Sequence, residues 1–184
     1  MNPFDALTKL VQKQAFSGPL DPAEIDFVFR FMDSEDPQLA SIAMMLLVSE
    51  NKPPLLDRIL ENYHTYPFFT QITLLPFLGA TFHLNCYKFL FLLLKAHLND
   101  EFTMPLTQCL SKTQFDIFPL FLIHLSDPDP EFIEKQKLLL FNIGFNKVRQ
   151  YLKMMPEIVY EEIFREVYGN TLIDGILPKP RQTN

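Results

Sequence analysis

Apolar residues recur at helical spacing along nearly the whole chain. Ile25, Val28, Phe29 and Met32 follow the i, i+3, i+4, i+7 pattern of one helix face, and Leu56, Ile59, Leu60 and Tyr63 repeat it. Towards the C-terminus, Val159, Tyr160, Ile163, Phe164 and Val167 form an apolar stripe opposite Glu157, Glu161, Glu162, Arg165 and Glu166, and Gly169 is placed to cap that helix. Ile42–Val48, Phe89–Leu94 and Phe118–Leu125 are apolar nearly all round, which predicts helices covered on both sides. No segment alternates with a period of two between turn signals, so no strand is predicted.

The polar punctuation agrees with the periodicity. Asn2-Pro3, Asp21-Pro22, Asp36-Pro37 and Asp129-Pro130 each set a capping side chain before a proline. The side-chain oxygen accepts from orphan N–H groups of the first turn, and proline at the first helical position gives up no hydrogen bond. Pro54, Pro67 and Pro156 mark three further starts. Helices are predicted over 3–15, 22–33, 37–49, 54–64, 67–80, 84–98, 103–112, 116–126, 130–143, 145–154 and 156–168. No internal linker breaks this series. The prediction is one all-α domain over 1–176, with antiparallel helix pairs stacked side by side, and a disordered basic tail over 177–184.

Two segments resemble each other: Met32-Asp33-Ser34-Glu35-Asp36-Pro37-Gln38-Leu39 and Leu125-Ser126-Asp127-Pro128-Asp129-Pro130-Glu131-Phe132. Each closes an apolar helix, turns through acids and opens the next helix with Asp-Pro. They lie 93 positions apart, close to twice the ~40–47-residue period of HEAT and armadillo repeats. The Asp-Pro turn followed by Ser41-Ile42-Ala43-Met44-Met45-Leu46 resembles the HEAT-like α-solenoid family, which implies a short curved stack offering an extended surface to another protein. The family's arginine after that turn and its alanine-rich face have no counterpart here, where Gln38 and Phe132 stand nearby and the core is rich in Phe and Leu. The stack is therefore expected to be irregular, with an irregular helical bundle as the alternative.

Composition narrows the function classes. The 184 residues include 19 Phe, no Trp and 5 Gly, enough apolar side chain for one full core. The net charge of −6 argues against nucleic acid, whose phosphates call for a basic face. Asn62 to Tyr87 contains no charged residue and is long enough to cross a bilayer, but Thr70, Gln71, Thr73, Pro76, His83 and Asn85 would face lipid unsatisfied. A buried pair of short helices is expected there, with no membrane partner. The start Met1-Asn2-Pro3-Phe4-Asp5 lacks the basic and apolar regions of a secretion signal, and Cys86 and Cys109 sit in apolar surroundings as buried thiols. A cytoplasmic location is expected.

Catalytic motifs are scarce. Glu61-Asn62-Tyr63-His64 has the Glu-x-x-His spacing of one ligand pair in di-iron bundles, but His83, His97 and His124 have no Glu three residues earlier. A small all-α enzyme with a metal near Glu61 and His64 is the alternative function. A Cys–His nucleophile pair lacks any local signature, and no phosphate loop, zinc spacing or Gly-x-Ser-x-Gly occurs. His124, within Phe121-Leu122-Ile123-His124-Leu125, is expected in the core with a hydrogen-bond partner. No catalytic residue, metal or cofactor is assigned.

Charge distribution carries the remaining information. Between Ser17 and Asn51 lie seven acids (Asp21, Glu24, Asp26, Asp33, Glu35, Asp36 and Glu50) and one base, Arg30. Asp127, Asp129, Glu131 and Glu134 form a second acidic cluster at the matching turn. Asp33, Glu35, Asp36, Asp127, Asp129 and Glu131 are the candidate partner-binding residues. Together they predict a non-enzymatic interaction or scaffold module whose acidic edge steers a protein with a basic surface.

Overall fold

The computed structural model describes residues 2–112, 114, 118–153, 161–169 and 172. Within them the chain is all-helical: α1 (Pro3–Phe16), α2 (Pro22–Phe29), α3 (Pro37–Ser49), α4 (Pro53–Glu61), α5 (Phe68–Ala80), α6 (Leu84–Ala96), α7 (Thr103–Leu110), α8 (Phe118–His124), α9 (Pro130–Ile143), α10 (Phe145–Lys153) and α11 (Glu161–Tyr168), with one 3₁₀ turn at Tyr63–Thr65. The helix start predicted at Pro156 and the tail from 177 lie outside the described residues.

All four Asn/Asp-Pro pairs act as the sequence predicts. Asn2 accepts from the Phe4 N–H, Asp36 from Gln38, and Asp129 from both Glu131 and Phe132. Asp21 and Glu24 close a full capping box, each side chain bonding the other's backbone N–H. Other starts differ. α4 opens at Pro53 behind Lys52 with no side-chain cap, and Pro67 occupies the N-cap rather than the first turn of α5. Gly169, at φ +85°, returns its N–H to the Arg165 carbonyl, the left-handed helix stop its position suggests.

The helices stack in two rows. α1, α3, α5 and α7 lie side by side in the first, and α3, α5 and α7 also touch helices of the second. In that second row α4 packs on α6. The Arg58–Asp26 ion pair ties α4 to α2, and the Phe91 and Phe121 rings, 5.9 Å apart, tie α6 to α8. First-row helices begin at residues 3, 37, 68 and 103 and second-row helices at 22, 53, 84 and 118, in steps of 31 to 35 residues. The turns at Asp36 and Asp129 are therefore three helix pairs of about 31 residues apart, because the turns after α4 and α6 fall between them. The 93 residues between the two Asp-Pro turns thus hold three helix pairs, where two units of ~40–47 residues were expected. α9 follows, packed against α8, α10 and α11.

The core runs along the seam between the rows, through Leu7, Met44, Leu47, Leu56, Leu75, Leu90, Leu106 and Phe132. Ile42–Val48 has no exposed residue, as expected, but the other two all-apolar segments are not covered on every side. Leu92 is 63% and Ile123 64% exposed, since an outer-row helix has one face left over. α5 and α7 approach closely at Gly79, where an added Cβ would stand 3.0 Å from the Cβ of Cys109. Tyr87 donates its hydroxyl to the Gly79 carbonyl at 3.0 Å, and Tyr63 donates to the Gln71 carbonyl at the same distance. Burial pushes both phenols well above their ordinary pKa.

Candidate interaction surface

The turns after α2, α4, α6 and α8 follow one another along one edge. Neighbouring turns touch. Asp33 acts on the Tyr66 phenol, the Phe68 and Phe102 rings meet edge-on at 5.5 Å, and Asn99 donates to Glu131. The two acidic clusters thus share an edge but occupy its opposite ends, with the second and third turns between them.

Most of the predicted binding acids are already engaged. Asp36 and Asp129 cap α3 and α9. Asp127 accepts from Lys95 at 2.6 Å and from the Asp129 N–H, which together hold its carboxyl below the usual range. Glu131 accepts from Asn99. Of the other acids in the first cluster, Asp21 and Glu24 face Lys13, and Asp26 pairs with Arg58 at 2.7 Å. Glu50 does not belong to a solvated rim. Its side chain is 2% exposed and binds the Leu20 N–H and the Gln14 amide at 2.8 Å each, with Lys52 2.7 Å away. Burial opposes its ionisation, but these donors outweigh it and hold the carboxyl below its ordinary pKa.

Asp33 and Glu35 remain. Both are exposed, and neither has a hydrogen bond or ion pair among the described residues. Asp33 lines a polar pocket of about 580 Å³ with Arg30, Asp26, Arg58 and Tyr66. In that pocket the Arg58 guanidinium stacks 3.9 Å above the Phe29 ring while pairing with Asp26. Tyr66 is buried, and its hydroxyl lacks a hydrogen-bond partner among the described residues. Burial, with the Asp33 charge second, raises the phenol pKa to about 12. Arg58 and Tyr66 were not singled out by the sequence, and Arg30 stood out only as the one base among the acids of 17–51.

The other prominent surface carries no charge. α3, α5 and α7 contain no Asp, Glu, Lys or Arg at all, although their neighbours α2, α4 and α6 do. Between α1, α3 and α5 lies an apolar groove of about 490 Å³, lined by Phe4, Pro37, Gln38, Ser41, Ile42 and Phe69. Phe4 and Phe69 are 43% and 47% exposed, and Met104, next along the row, 69%. An uncharged run that the sequence suggested as buried helix is thus half buried and half on display. Asp36 stands directly before the groove's Pro37, and Asp5 directly after its Phe4.

The remaining candidates are scattered. Glu61 ends α4 and His64 lies in the 3₁₀ turn; both are exposed, and His64 packs against Tyr63 at 5.4 Å between ring centroids. No three His, Cys, Asp or Glu side chains converge among the described residues. Cys86 and Cys109 are buried free thiols; burial raises both, Cys109 to about 11. His124 stacks on Phe91 at 4.6 Å, but its Nε2 is buried with no hydrogen-bond partner among the described residues, contrary to expectation. Its aromatic surroundings offer no acceptor, and burial, opposed by Asp127, lowers its pKa. No described helix is long and apolar enough to cross a membrane. Compared with known proteins, the chain matches no protein-family model and no curated protein.

Proposed function

We propose that this chain is a non-enzymatic protein–protein interaction module, a short HEAT-like stack that docks a partner with a basic surface along its turn edge. The observation that carries this reading is the division of labour among the acids. Caps and ion pairs hold Asp36, Asp127, Asp129 and Glu131 within the fold, whereas Asp33 and Glu35 stand exposed and unengaged among the described residues. A carboxylate without a hydrogen-bond or ion-pair partner in its own chain leaves its oxygens open to a partner's cations. The docking end is accordingly the turn between α2 and α3, with the α8–α9 cluster serving mainly to close its own turn.

The test is capture of native partners by the whole chain and by the Asp33→Lys/Glu35→Lys double variant, followed by direct binding of whatever the parent chain retains. The expected outcome is a partner whose binding weakens as salt rises and is lost in the variant. Equal binding by parent and variant removes the acidic edge from the account.

A further inference from the structure

We infer that the charge-free groove across α1, α3 and α5 seats one amphipathic helix of the basic partner, with that helix's aliphatic residues in the groove and its Lys or Arg residues on the adjoining acids. The inference rests on the acidic-edge reading above and adds the shape and chemistry of what docks. Three observations support it. First, the lining is mostly apolar and carries two half-exposed rings, Phe4 and Phe69, with Ile42. A helix laid in a hydrophobic groove supplies the complementary i, i+3, i+4, i+7 anchors. Second, no lining residue is charged, while Asp5, Glu35 and Asp36 lie within two positions of lining residues along the chain. The groove is therefore acid-rimmed, with no lining cation of its own. A second copy of the chain would bring the same acids to that rim. Third, the lining crosses three helices, α1, α3 and α5, and at roughly 8–10 Å between packed neighbours that width takes a helix of about 11–13 residues.

The probe is a fluorescein-labelled peptide of about 14 residues, with Leu at i, i+3, i+4 and i+7 spacing and Lys elsewhere, titrated onto the full chain by anisotropy. Comparison peptides are a scramble of the same composition and a version with Glu for every Lys. The expected result is saturable binding of the Leu/Lys peptide, with the scramble and the Glu version each weaker by at least about tenfold. Phe69→Gln and Glu35→Lys should each also weaken it about tenfold at unchanged helicity. Phe69 is half exposed on a surface, so its replacement leaves the core untouched. Loss with Glu35→Lys but not with Phe69→Gln overturns the groove while leaving the acidic edge standing. Indifference to both overturns the two together. Failure of the Leu/Lys peptide to bind, or concentration-dependent self-association that is abolished by Phe69→Gln, overturns the helix as occupant.

Discussion

Gly79→Ala tests the close contact between α5 and α7. A methyl at this position meets the Cβ of Cys109 at 3.0 Å and its Cα at 3.5 Å. Neither atom can swing away, because both are fixed to the α7 backbone, so α5 and α7 must part by a few tenths of an ångström. Overpacking of this kind costs typically about 1–3 kcal/mol. Against it stands the intrinsic gain of alanine over glycine inside a helix, about 0.8–1 kcal/mol. The net effect in the parent chain is a destabilisation of about 1 kcal/mol, a fall in Tm of ~2–4 °C for a chain of this length. Removing the opposing Cβ separates the two terms. In a Cys109→Gly background only the helix propensity survives, and the same Gly79→Ala change becomes stabilising by about 1 kcal/mol. Urea unfolding of the four proteins in this cycle gives a coupling of about 2 kcal/mol. Gly79→Ala effects that agree between the two backgrounds to within ~0.5 kcal/mol would refute the close approach of α5 to α7.

Other expectations follow from burial and from charge. Leu90→Ala, in the seam, should cost about 2–5 kcal/mol, while Leu92→Ala, two positions on and facing outward, should fall within ±0.5 kcal/mol by denaturant unfolding. Glu50→Ala removes an acceptor shared by Leu20 and Gln14 and should cost about 1.5–3 kcal/mol at neutral pH. Because the Glu50 carboxyl is held below its ordinary value of 4.5, its contribution is complete above that pH and is lost as pH falls through the folded value; the variant's acid-side stability curve should be flatter. His124 has the lowered pKa of an imidazole kept neutral by burial, so the unfolded chain binds its proton first and stability should decline as pH drops below 6.5. His124→Phe should abolish that part of the decline, as followed by Tm from pH 8 to 5.

Local chemistry made the fold readable from the sequence. An Asp-Pro pair carries its own reason to start a helix, and all four such pairs cap one in the structure. Helix C-termini without a stop signal were placed by periodicity alone, and they moved: α2 stops at Phe29 rather than 33, and α4 at Glu61 rather than 64. The number of helix pairs between the two matching turns was not legible, because only two of the four edge turns carry Asp-Pro. The turns after α4 and α6 use Tyr66-Pro67 and Asp100-Glu101 instead, and so leave no matching signature. The site was legible only in part. Sequence shows which residues are acidic but not which are already bonded, so Glu50, buried against Leu20 and Gln14, looked the same as Asp33. The charge-free composition of α5 was plain, but burial and exposure cannot be told apart from composition when a helix lies at the surface of a row with one face covered.

The most direct measurement is hydroxyl-radical footprinting of the whole chain, free and saturated with its captured partner. Docking on the turn edge and the first-row groove predicts protection of Phe4, Phe69 and Met104, with Leu92 and Ile123 on the opposite row reacting equally in both states. Protection confined to Leu92 and Ile123, or none at Phe4 and Phe69, would contradict it.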